Sequence, residues 1–447
     1  MINNKPNFKI KKIIEEYFKI DLEKFGGNIE VIQRRKDPAK FDIIKSQYLQ
    51  NFQRIEIQAD NKLFIGDDII VFLHNLIPSE IVECIPPDYL IYYPICTNEE
   101  IERIINVRTQ EDFLLKLRAD AIADHPRFMR VFNKRRQSKE NWSLSNYFDK
   151  KPFNAYLSYL SPSDSRLCKK VVAGFAFISE PNGICIKNEL GDLIIISESL
   201  QYFLYYMNLF IFSQYINVGH YNDAVSNEDI FSYFLIAVRI MLCTETLDFD
   251  LDPRGSIPER LSEQVSAVVQ DQVEFVIGHE YAHLLKGHLS NKIIRQCSLS
   301  HMAMIDRKSP QVKYYNYLQK QEFEADWFAI KNARYEVNKK ECIVNAAFTF
   351  FMCLDLFDVV RTYISPEPDW RSSHPNPLDR LQKLRQKINR RFGYSSEELR
   401  CLVVQIDKFK NFLIKDFLPY NIDELETVGS VYLPSTDRKP LIDRIDF

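Results

Sequence analysis

Between Ser262 and Lys286 apolar residues recur at helical spacing, with Val265, Val268, Val269, Val273, Val276 and Ile277 forming one stripe. The spacing predicts a helix with a buried face, and Gly287 lies just past its end, where a left-handed cap is favoured. Into the last turns of this helix the chain sets His279, Glu280 and His283. The two histidines are four residues apart, so both imidazoles project from one face about one turn apart. That separation suits two ligands of a single tetrahedral zinc ion. Glu280 sits on the neighbouring arc, where its carboxylate can reach water held by such a metal without taking a metal position. Only eight histidines occur in 447 residues, so this H-E-x-x-H grouping is no by-product of a histidine-rich composition.

A catalytic zinc needs a third protein ligand and one open position. The segment Gln321–Ala329 (QEFEADWFA) offers Glu322 and Asp326, again four residues apart on one helical face. Both are surrounded by Phe323, Ala325, Trp327, Phe328 and Ala329, and charges in so apolar a stretch need a partner. Glu324 points about 200° around the helix from Glu322, which makes it the weaker ligand candidate. The metzincin pattern places Gly and His where this chain has Lys286 and Leu289, so His288 reads as a helix-terminal residue favoured by the dipole. Further on, His374 lies in a loop just before an amphipathic helix that buries Leu378, Leu381 and Leu384 and is capped by Asn376-Pro377.

The rest of the chain reads as α+β, predominantly helical. At 447 residues two or three domains are expected. Residues 1 to about 110 mix short apolar runs with proline breaks, and 111–170 turn helical and charged. We place an α+β N-terminal module at 1–170, a core at 171–392 and a C-terminal helical extension and tail at 393–447. Within the core, Val171–Ser179, Gly183–Ile186 and Leu193–Ser197 are strand-like and helices are expected near 230–242, 311–335, 340–364 and 376–392, with a further helix at 396–416 in the extension. A net charge of −3 gives no global reason to expect nucleic acid as a partner, and the basic run Arg127–Lys139 reads as a solvated helix end. Nine scattered cysteines without C-x-x-C spacing fit reduced thiols. The first residues carry no signal-peptide pattern, and Leu193–Phe212 is too interrupted to span a bilayer. The expectation is therefore a cytoplasmic protein.

Taken in order, His279-Glu280-x-x-His283, Glu322-x-x-Ala325-Asp326 and Ser373-His374-Pro375 with Arg380 resemble the successive signatures of one gluzincin family. It contains the HtpX-type heat-shock proteases and the CAAX prenyl proteases. The segment Gly183–Ile186 with Leu193–Leu200 is similar to that family's strand pair ahead of the zinc helix. The resemblance covers about 171–392, and the core is also similar to Lit-type phage-exclusion peptidases. It implies a zincin-like core in which His279, His283 and Glu322 hold Zn2+ and Glu280 is the base. It further implies that Asp326 orients a ligand imidazole, that His374 stabilises the oxyanion and that Arg380 braces that loop or the substrate. The best-known relatives are embedded in membranes, which this chain does not match, and residues 1–170 match nothing in them.

Two functions follow as expectations. The first is a zinc-dependent endopeptidase acting on a cytosolic protein or peptide, with the substrate strand added to an edge at Gly183–Ile186 or Leu193–Ser197 and Tyr281 or His374 donating to the oxyanion. The second is a catalytically silent zinc-binding sensor or adaptor that uses the N-terminal module for partner binding.

Overall fold

The computed structural model describes residues 12, 25–39, 41–42, 56–58, 62–65, 69–78, 85–178, 183–218, 225–249, 253–288, 293–298, 311–316, 319–365 and 375–435. The described chain divides into two compact units, one ending at Ile105 and one starting at Asn106.

The first unit holds strands β1 (Phe25–Gln33), β2 (Glu56–Gln58), β3 (Lys62–Ile65) and β4 (Ile69–Pro78). They form an antiparallel sheet in the order β1-β4-β3-β2. A short 3-10 turn (Pro87–Tyr92) and helix α1 (Asn98–Ile105) follow. Thr97 and Glu100 cap α1 reciprocally, at 3.0 and 3.2 Å, satisfying two donors the helix start would leave open.

The second unit begins with α2 (Gln110–Ala123), α3 (Pro126–Ser138), α4 (Leu144–Tyr147), α5 (Lys151–Tyr159) and α6 (Pro162–Cys168). Strands β5 (Val172–Ala176), β6 (Gly183–Asn188) and β7 (Gly191–Ser197) come next. Helices α7 (Glu198–Val218), α8 (Asn227–Met241) and α9 (Glu259–Leu285) precede strands β8 (Ile293–Ser298) and β9 (Gln311–Asn316). The chain continues through α10 (Gln319–Lys331), α11 (Val337–Ile364), α12 (Pro377–Lys387), α13 (Ser396–Phe412) and α14 (Leu418–Glu426).

The five-stranded sheet runs β5-β7-β6-β9-β8, with β5 and β7 parallel and the other pairs antiparallel. β7 lies between β5 and β6, so Leu193–Ile196 are buried on both faces and the strand reads as an unbroken apolar run. Leu193 and Ile195 pack with Leu114 and Leu117 of α2, and the opposite face meets α7 and α9. Leu193–Ser197 therefore has no edge to offer a substrate strand, in contrast to the expectation above.

One further expectation is corrected. Residues 311–316 are strand β9, not the start of a helix: Gln-Val-Lys-Tyr-Tyr-Asn pairs in register with Ile293–Ser298, and that partner decides the outcome. The second compact unit starts at Asn106, so residues 106–170 fall in the same unit as the core. The reason lies in the packing of 106–170 on the core. Arg118 donates to Phe175 O at 2.8 Å, and a Cβ on Gly174 would meet its guanidinium at 2.7 Å. Tyr156 on α5, fully buried, lies so close over Gly278 of α9 that a Cβ there would sit 2.6 Å from its ring. The C-terminal helices are equally part of this unit, since Lys410 pairs with Asp355 at 2.8 Å and Leu433 N donates to Arg254 O at 2.8 Å.

Among the described residues, α11 is the one helix long and apolar enough to cross a membrane. Inside this unit 83% of its most apolar window is buried, against α9, α12 and α13 among others. It is the central core helix.

An alanine in a helix interior normally gains about 0.5–1 kcal/mol over glycine. Gly278→Ala instead forces Tyr156 aside, and overpacking of this kind costs about 1–3 kcal/mol. Urea unfolding should show destabilisation in the native background and a reversed sign in a Tyr156→Ala background.

Candidate metal centre

Helix α9 enters the core at its C-terminal half, where every residue from Gln272 to His283 is buried. Neighbours satisfy the polar ones away from the site: Asn208 donates to Gln272 at 2.8 Å and Lys339 pairs with Glu274 at 2.9 Å. His279 and His283 lie edge to face one turn apart with ring centroids at 4.7 Å, and their Nε2 atoms face each other at 3.1 Å. Helix α10 crosses α9 there and presents Glu322, fully buried. Its carboxylate oxygens lie 3.5 Å from His279 Nε2 and 3.4 Å from His283 Nε2. A tetrahedral ion with bonds of 2.0–2.1 Å separates its ligand atoms by about 3.3–3.4 Å. Each donor pair thus lies near the separation such a face requires, the two imidazoles facing different oxygens of the Glu322 carboxylate, and a fourth vertex would remain for water or substrate. His279, His283 and Glu322 could hold a metal ion.

The charge balance agrees with that geometry. Glu280, Glu322 and Asp326 are all buried, and among the described residues the guanidinium packed with them is that of Arg380. A divalent cation would add positive charge beside them. In its absence a proton on His279 serves: burial by itself would lower this imidazole, but hydrogen bonds to Asp326 and Glu322 outweigh it and raise the pKa to about 10. Burial and the neighbouring His279 push His283 down to about 3, leaving it neutral as a ligand requires.

Asp326 accepts from His279 Nδ1–H at 2.8 Å, which leaves Nε2 with its lone pair toward the ligand cluster. Arg380 grips the same carboxylate with two bonds, Nε to Oδ2 at 2.9 Å and Nη2 to Oδ1 at 2.7 Å. Burial opposes ionisation of Asp326, yet Arg380 holds its pKa below the usual carboxylate range. Arg380 therefore braces Asp326, whereas the expectation had it bracing the His374 loop or the substrate. It reaches that position because Asn376 caps α12, accepting from Leu378 N at 2.9 Å and from Asp379 N at 3.4 Å, and so fixes the first turn that carries it. His374 lies outside the described residues.

Glu280 packs against the start of β6. A Cβ on Gly183 would come within 2.4 Å of Glu280 Cγ and 2.7 Å of Ile196 Cδ1, so only glycine allows the strand and the carboxylate to approach this closely. β6 registers with β9 only at Ile186 and Lys187, and its Gly183 end, the end at Glu280, lies beyond that register. Tyr281 faces elsewhere: it stacks on Tyr156 with centroids 5.9 Å apart and planes 1° from parallel, in the core between α5 and α9. It is thereby removed as an oxyanion donor. Sequence reasoning did not single out Gly183 or Tyr156, whose importance rests on contacts with residues about a hundred positions away. It took His288 for a helix-terminal residue and Glu324 for the weaker ligand candidate, and did not foresee that the two contact each other at 3.2 Å.

With this geometry in place, the comparison with known families is informative. Residues 259–388 match the model of peptidase family M48. The match starts at the first residue of α9 and ends just past α12, so it spans His279, Glu280, His283, Glu322, Asp326 and Arg380. The likeness is to a family of metallopeptidases, and it falls on the part of the chain that carries the three candidate metal ligands. Neither curated proteins nor solved structures give a match.

Arg380→Met would leave Asp326 buried without its countercharge, and breaking a buried pair in this way costs about 3–5 kcal/mol. Denaturation with excess chelator present isolates this from metal binding. Asp326→Asn in the same background should recover part of the loss, because one buried charge fewer then needs compensation.

Proposed function

We propose that this chain is a zinc-dependent endopeptidase of the gluzincin type that hydrolyses a cytosolic protein substrate. The observation that carries the reading is the convergence of three ligand atoms at tetrahedral spacing beside a buried carboxylate, Glu280, that is not one of them. The resemblance to HtpX-type and CAAX prenyl proteases, and to Lit-type peptidases, agrees with it. Seven described cysteines are free thiols, in keeping with a reducing compartment.

When bound, zinc acts as a Lewis acid that polarises the scissile carbonyl and lowers the pKa of coordinated water to about 7. His279, His283 and Glu322 hold it, and Asp326 with Arg380 keeps the His279 ring in its metal-facing tautomer. Glu280 takes the proton of the attacking water and delivers it to the leaving amine. Gly183, which lets β6 run along the Glu280 side chain, places backbone donors and acceptors where an extended substrate can add as a strand. That strand addition fixes the scissile bond over the carboxylate, so binding and chemistry share one edge. His374 is the proposed oxyanion donor.

Purified protein is expected to carry one zinc per chain and to lose thermal stability when a chelator removes it. Mapping new protein termini in cells that express wild type or Glu280→Gln tests the activity. Cleavages present only with wild type are expected, while zinc content stays unchanged in the variant. Identical termini in both would overturn the protease reading and favour the zinc-binding adaptor.

A further inference from the structure

Helix α9 does not simply stop after its second ligand. Gly287 takes a left-handed conformation, φ +67°, and donates to Leu284 O at 3.0 Å. The next residue, His288, donates its backbone N–H back to His283 O at 2.9 Å. This is a Schellman ending, in which the chain folds back against the last helical turn. Its consequence is that His288 returns to the ligand it has just left. The imidazole of His288 is buried, and its Nδ1 lies 3.0 Å from His283 Nδ1, with ring centroids 5.1 Å apart. On its other side, Nε2 lies 3.2 Å from Glu324 Oε2 on α10. Lys286 holds the same carboxylate at 3.5 Å from Oε1 while lying over the Phe328 ring at 3.7 Å.

The proton positions follow from what each atom can do. An ionised carboxylate only accepts, so His288 Nε2–H donates to Glu324. The Nδ1 of a neutral His288 is then an acceptor, and His283 Nδ1–H donates to it. His283 is left with its Nε2 lone pair toward Glu322 and His279. We infer that His288 and Glu324 are positioning residues that hold His283 in its metal-binding tautomer and ring orientation, as Asp326 and Arg380 do for His279. The inference rests on the metal-centre reading of the site. An imidazole interposed between carboxylate and ligand lets Glu324 act from the surface without placing another buried charge beside Glu322.

The test is zinc affinity of the full-length chain, measured by competition with a chromophoric chelator, for wild type, His288→Phe, His288→Asn and Glu324→Gln. Loss of such an outer partner typically weakens metal binding about 10–100-fold. His288→Phe, which keeps a ring but no acceptor, should fall in that range. His288→Asn, whose side-chain oxygen can accept from His283, should stay within about threefold of wild type, and Glu324→Gln should fall between. In the cobalt-substituted protein, the visible band of four-coordinate cobalt should be preserved in His288→Asn and perturbed in His288→Phe. Wild-type affinity in His288→Phe overturns the inference, as does equal weakening in His288→Phe and His288→Asn, which would mark His288 as packing alone. A folded wild type that takes up no zinc overturns the metal-centre reading and this inference with it.

Discussion

Three carboxylates and one guanidinium are buried together where α9, α10 and α12 meet, and the rest of the unit is arranged around their need for positive charge. Arg380 satisfies Asp326 directly and approaches Glu322 at 3.7 Å. Burying charge is costly unless it is paired, neutralised by a proton or coordinated to a cation. A proton on His279, held there by Asp326 and Glu322, is one source of positive charge beside these carboxylates, and a divalent ion at the three donors would be another.

Holding such a cluster together requires elements to approach more closely than ordinary side chains permit. Gly183 lets β6 run against Glu280, and Gly278 lets Tyr156 lie on α9. The Tyr156 hydroxyl then donates to Ala329 O on α10 at 3.1 Å, so a residue from the helices before the sheet ties the histidine helix to the carboxylate helix. This is why 106–170 cannot be a separate module: its side chains set the separation of the two helices that share the metal.

The i, i+4 pairs were legible in the sequence because helical periodicity alone places His279 with His283 and Glu322 with Asp326 on common faces. The cap at Asn376-Pro377 and the left-handed Gly287 were legible for the same reason, since caps are local chemistry. What the sequence did not disclose depends on partners distant along the chain. Val171–Ser179 and Leu193–Ser197 both read as strands, but nothing local says that β7 lies inside the sheet and that β6 carries the end against Glu280. Residues 311–316 have no strong period of their own, and β8 decides their conformation. Arg380 was expected to brace the His374 loop or the substrate; only the crossing of α12 over α10 shows that it faces Asp326.

Division of labour between the two crossing helices follows from these contacts. Helix α9 supplies both imidazoles and the base, whereas α10 supplies a carboxylate at 322, 324 and 326, each with a different task. Glu322 faces both Nε2 atoms, Asp326 takes the Nδ1–H of the first imidazole, and Glu324 reaches the second through His288. A slide of α10 along α9 by even part of a turn would break all three contacts at once, because they are spaced along one helix. The site is therefore as exact as the crossing is rigid. That rigidity comes from outside the pair, from Tyr156 bridging the helices on one side and Arg380 on the other. Neither of these braces is itself one of the three metal ligands, yet the positions of those ligands depend on both.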